Sequence, residues 1–153
     1  MKTLARERDR AELLVRLKTL HPDSARRWGR MSSHQAVCHM SDAFLMGLGQ
    51  KPVTRIARLG ERTLVKWIGL YLPVPWPAGR IRTTRDIDQE ADGTKPNDFA
   101  ADVARLEGLV DMFTTRAKEL DRQAHPLFGR MSPAAWLRWG YLHMDHHLRQ
   151  FGA

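Results

Sequence analysis

The chain has 153 residues, 42% of them hydrophobic, which is enough to bury a core without disulfides or a structural metal. Its single cysteine, Cys38, excludes an internal disulfide and any zinc site built from cysteines. The formal charge of +8 argues for solubility and nonspecific attraction to polyanions and says nothing of the fold.

A first helix is expected from Lys2 to Leu20, with Leu4, Ala11, Leu14 and Leu17 on its apolar side and His21-Pro22 ending it. Residues two apart on a helix lie about 200° apart, so Arg6, Arg8 and Arg10 make no basic stripe. The other arginine groups, Arg26, Arg27 and Arg30, then Arg80, Arg82 and Arg85, are scattered along the chain. Nucleic acid is therefore a disfavoured partner. The charged stretch Met1 to Arg10 has no apolar run behind it that would make a signal peptide. The most apolar run, Trp67 to Pro77, holds three prolines and falls short of the roughly 20 residues a membrane span needs. A soluble, cytoplasmic protein without a membrane partner is expected.

Ser32 is placed to cap a second helix running to Gly47 or Gly49. A weaker third helix is expected over Ile56 to Leu72, closed by Pro73, Pro75 and Pro77. From Pro73 to Pro96 no period of two or 3.6 is visible, so this stretch reads as one long connection. Asn97 or Asp98 then caps a helix with Phe99, Val103, Leu106, Val110, Phe113, Ala117 and Leu120 on one side. Ser132-Pro133 opens the last helix, with proline at its favoured first position. No strand pattern is present. These elements predict an all-α protein, a four-helix bundle with an extra short helix and one long crossover loop, in a single domain over residues 1–153. Bundles of this kind build cofactor sites from side chains on facing helices.

His143 and His147 are four residues apart and share one face of the last helix, about one turn from each other, which is how one helix offers two imidazoles to one divalent metal. A third ligand must come from elsewhere. His39 is the candidate, because the segment before it reads like a copy of the segment before His143. His21-Pro22 leads to Gly29-Arg30-Met31-Ser32 and His39, while His125-Pro126 leads to Gly129-Arg130-Met131-Ser132 and His143. On a helical wheel, Leu137, Tyr141, Met144, Leu148 and Phe151 form an apolar stripe, with Trp136, Gly140, His143, His147 and Gln150 beside it. Arg138, Asp145 and Arg149 fall on the opposite, solvent-like side. His146 lies about 100° from His147, farther from the apolar stripe, and is set aside as a ligand. His39 falls with Gln35, Asp42 and Met46 on a polar stripe, which fits either solvent or a polar cavity between helices. His34 lies about 140° from His39 and does not share its target. His21 and His125, in loops before proline, read as structural or as partners that support a ligand, and Cys38 as a buried, inert thiol.

The run His125-Pro126-Leu127-Phe128-Gly129, followed by Trp136, His143, Asp145, His146, His147, Arg149, Gln150 and Phe151, resembles the C-terminal signature of the DinB-like superfamily. Trp28-Gly29, Ser32, His39, Gly93-Thr94-Lys95-Pro96 and Phe99 fit the same branch, one of undefined function. The resemblance implies a four-helix bundle in which His39, His143 and His147 bind a divalent metal, whether zinc, nickel or iron. It further implies a family of thiol-dependent transferases and isomerases, with a low-molecular-weight thiol as cosubstrate, alongside members of no known activity. Many members pair as homodimers.

Three neutral imidazoles leave an ion at least one open position, the arrangement of a catalytic site. Met144 stands where a zinc protease would carry Glu, so peptide hydrolysis is disfavoured. Asp42, one turn beyond His39, and Gln150, nearly one turn beyond His147, are the candidates for orienting an imidazole or a bound water. The leading expectation is a metal-dependent thiol transferase or a hydrolase acting on a small-molecule substrate. The alternatives are a non-catalytic, stress-related metal-binding bundle and, third, a nucleic-acid-binding protein.

Overall fold

A computed structural model describes residues 1–54, 62–72, 75–79 and 83–153, without the side chains of 62–65 and 121. Helices dominate it: α1 (Glu7–Leu17), α2 (Ser33–Gly47), α3 (Arg62–Tyr71), α4 (Phe99–Thr115) and α5 (Pro133–Gln150). None of the described helices is long and apolar enough to cross a membrane.

The helix starts follow local chemistry. Ser32 accepts from the Gln35 backbone N–H at 3.1 Å, and the Gln35 side chain accepts from the Ser32 N–H at 2.8 Å, a reciprocal cap. Asp98 caps α4 by accepting from Ala101 N–H at 2.7 Å, and Ser132 caps α5 by accepting from Ala135 N–H at 3.2 Å. The two look-alike segments share backbone geometry as well: Gly29 and Gly129, each three residues before the capping serine, have φ of 76° and 66°, where a Cβ is strained.

Three expectations need correction. The first helix begins at Glu7, because the preceding residues turn back. The buried Asp9 carboxylate accepts from Thr3 N–H, and Leu4 N–H bonds the Leu137 carbonyl. The α4 helix stops at Thr115, and the apolar run continues as a 3₁₀ segment, Ala117–Arg122, that still buries Leu120 completely. A strand pair was not foreseen. Ala124–His125 pairs antiparallel with Gly129–Arg130, and two residues are too few to show an alternating pattern. Of the third helix, the part from Ile56 to Glu61 lies outside the described residues, as do Pro73, Arg80 and Arg82.

The core lies where α2 and α5 meet, with α4 packed on α2 and α1 on α5. Phe44, Phe113, Trp136, Met144 and Leu148 are fully buried there. Two glycines permit the close approach: a Cβ on Gly140 would meet Leu4 Cδ1 at 2.6 Å, and one on Gly47 would meet Phe113 Cε2 at 2.6 Å. Gly47→Ala is therefore expected to lower the unfolding free energy in urea by about 1–3 kcal/mol, the usual cost of overpacking. An unchanged urea midpoint would show that the Phe113 ring yields freely.

Candidate metal centre

His39 on α2 and His143 and His147 on α5 are each buried, and their ligand nitrogens lie within 4.8 Å of one another. The polar stripe of α2 thus faces the interior, because the segment after α3 folds across it. Asp42, fully buried, holds that segment down. Its carboxylate accepts from Gln89 Nε2 (3.1 Å), Thr94 N–H (2.8 Å) and Thr94 Oγ1 (2.6 Å), and Lys51 Nζ lies 3.3 Å away. Asp42 makes no hydrogen bond to an imidazole among the described residues. It acts through the segment it anchors, because that segment supplies the Ile87 carbonyl to which His39 Nδ1–H donates at 2.8 Å. With the proton on Nδ1, the neutral His39 ring turns a lone pair on Nε2 inward.

Gln150 does for His147 what Ile87 does for His39. The Trp28 carbonyl is an acceptor only, so the amide nitrogen of Gln150 must face it, donating at 2.9 Å. The amide oxygen then accepts from His147 Nδ1–H at 3.0 Å, leaving His147 Nε2 as the free lone pair. Gly29 makes room for this clamp: a Cβ there would stand 2.6 Å from the Gln150 amide nitrogen. His143 is held differently. Its ring stacks on Trp139 (centroids 4.9 Å apart, 12° between planes), and its buried Nδ1 has no partner among the described residues. Its Nε2 stands 3.2 Å from His39 Nε2. Two nitrogens bound at 2.0–2.1 Å around a tetrahedral ion are roughly 3.3 Å apart, so this spacing and the three-imidazole donor set fit a divalent metal.

Electrostatics agree with that fit. Burial holds the pKa of His39 below the usual histidine range, and burial together with the neighbouring imidazoles holds those of His143 and His147 well below it. The rings are thereby kept neutral, the form that ligates.

The triad forms part of the wall of a cleft of about 660 Å³ that Trp28, Trp76, Trp139, His125 and His146 also line. His146 packs between the indoles of Trp28 and Trp76, each with its centroid 5.9 Å from the imidazole, beside the triad and outside it. Ile87, the Trp28 carbonyl and Trp76 carry no periodic signal. Of these, only Trp28 is singled out in the sequence, with Gly29, by the family resemblance.

A second cluster joins His34, Cys38 and Asp102. One oxygen of Asp102 already takes the His34 Nε2–H at 2.8 Å, the Asn97 N–H at 3.3 Å and the Cys38 thiol at 3.5 Å. Burial and the Asp102 charge push the Cys38 pKa up to about 12, so the thiol stays protonated and inert, as expected from the sequence.

No curated protein and no solved structure matches the chain. A family model does, over residues 6–153: the chain belongs to the family described as "Protein of unknown function (DUF1569)".

Proposed function

We propose that this protein is a metal-dependent enzyme of the DinB-like type, built on a four-helix bundle, with His39, His143 and His147 as the ligands of one divalent ion. The observation that carries the reading is the pair of fixed tautomers: Ile87 and Gln150 each hold a ring Nδ1–H, which leaves two Nε2 lone pairs free in a three-histidine group whose ligand nitrogens lie within 4.8 Å of one another. Such second partners commonly orient metal-bound histidines and raise their basicity. A divalent ion held by three neutral imidazoles lowers the pKa of a coordinated water or thiol and so supplies a nucleophile near neutral pH.

The chain's own residues supply the rest. Indole rings line the cleft beside the triad, and the cleft is large enough for a small-molecule substrate. Metal analysis of the purified protein, followed by an assay joining a low-molecular-weight thiol to a generic electrophile, tests the reading. About one ion per chain and metal-dependent product are expected. An ion without product would leave a metal-binding bundle, and no ion would end the proposal.

Chelation is expected to lower the melting temperature while leaving the helical signal at room temperature. An ion at about 100 times its dissociation constant adds only about 2.7 kcal/mol, and the buried apolar cluster needs no ion to pack. Loss of helical circular dichroism on chelation alone would contradict this.

A further inference from the structure

His125 stands apart from the triad but faces the same cleft. Its Nδ1 accepts two backbone hydrogen bonds, from Leu127 N–H at 3.1 Å and Phe128 N–H at 3.2 Å. A ring nitrogen that accepts carries no proton, so the neutral ring must carry its proton on Nε2. Burial pushes the His125 pKa down to about 3, which keeps the ring neutral and its tautomer fixed. That Nε2–H has no acceptor among the described residues, although the ring is packed against Phe128 (centroids 4.7 Å, 21° between planes) and Trp139 (5.1 Å). It is a permanent donor on an aromatic wall.

The surroundings narrow what it would donate to. Trp28, Trp76 and Trp139 offer flat apolar faces, and Trp28 Nε1 and Thr84 Oγ1 are buried without partners among the described residues. Arg30, the cationic side chain among the described lining residues, is turned to Asp88 (3.7 Å) and Glu90 (3.2 Å). Apart from an ion held by the triad, the described lining residues offer a carboxylate or phosphate no unengaged cation, whereas an uncharged acceptor would satisfy donors that otherwise stay unpaired.

We propose that the cleft binds an uncharged, planar aromatic carbonyl compound, with the carbonyl oxygen on His125 Nε2–H and the ring among the indoles. The proposal rests on reading the cleft as a substrate site beside the triad. His125 is a binding and positioning residue here.

The test compares 2-acetonaphthone with 2-isopropenylnaphthalene, nearly the same shape without the oxygen, by calorimetric titration of metal-loaded and chelator-treated protein. The ketone is expected to bind roughly tenfold tighter, the upper range for one hydrogen bond in a dry site. In His125→Asn the amide oxygen takes over the two backbone N–H groups but the far donor is gone, so the preference should fall to about one. Trp76→Ala should weaken both probes and leave their ratio intact. Equal binding of the two probes by the unaltered protein would overturn the proposal, as would an unchanged ratio in His125→Asn or no binding of either probe. Tighter binding of 2-naphthyltrimethylammonium would also overturn it, by showing the indoles to be a cage for cations. A ketone preference in protein that takes up no metal would end the metal reading alone. A missing preference in protein with one ion per chain would end this one alone.

Discussion

Replacing His143 with Ala should leave the purified protein without its ion, and replacing His39 should do the same. Removing a partner that merely orients a ligand costs about 10–100-fold in metal affinity, and deleting one of three ligands should cost more than that upper figure. The sharper comparison lies outside the ligand set. Gln150→Leu removes the acceptor for His147 Nδ1–H, and Gly29→Ala drives a Cβ to within 2.6 Å of the Gln150 amide at a backbone φ of 76°. Each should weaken binding by about 10–100-fold while every ligating nitrogen remains. Competition titration against a chromophoric chelator reads all four variants, with circular dichroism as a check on folding. Full occupancy in His143→Ala at the affinity of the unaltered protein would show that the ion sits elsewhere.

Metal-free protein should be sharply sensitive to acid. Burial depresses the pKa of His125 to about 3 and that of His146 to about 4, against a usual value near 6.5 in the unfolded chain. Between those limits the unfolded chain binds protons that the folded one refuses, so stability is complete above about pH 6.5 and is lost as the pH falls through it. Each such histidine costs about 1.4 kcal/mol per pH unit, or about 2 kcal/mol by pH 5, so these two together cost about 4 kcal/mol there. His39, His143 and His147 act in the same direction. Against a total stability of about 5–15 kcal/mol, cooperative loss of the helical signal is expected between about pH 5 and 4. A urea midpoint that stays level from pH 7 to 5 would refute this.

The histidine spacing and the repeated serine caps were enough to nominate His39, His143 and His147, and the structure brings all three together. What the wheel left open was whether His39 meets solvent or a cavity. That depends on the aperiodic segment laid over α2, whose anchor is the single carboxylate of Asp42. Its useful group for His39 is a backbone carbonyl, which no side-chain pattern reports. His125 was undervalued for a related reason: a histidine before proline in a loop belongs to no helical face, and its role depends on two amide groups that only the folded turn aligns. The helix ends were overrun wherever an apolar period outlasted the helix, as at Ala117 and Leu120. There burial continued while the backbone tightened to a 3₁₀ turn.

The stretch around Ile87 lies over the cleft in the place of a door, but its attachment makes it a fixed lintel. Lifting it would strip the Gln89 and Thr94 donors from the sealed carboxylate of Asp42 and take the Ile87 carbonyl away from His39. Opening on that side would thus expose a charge and dismantle the triad at the same time. Traffic in and out should pass instead between the turn at Trp28 and Gly29 and the one at Trp76 to Gly79, where the lining residues are partly or fully exposed and the backbone of the triad can stay still.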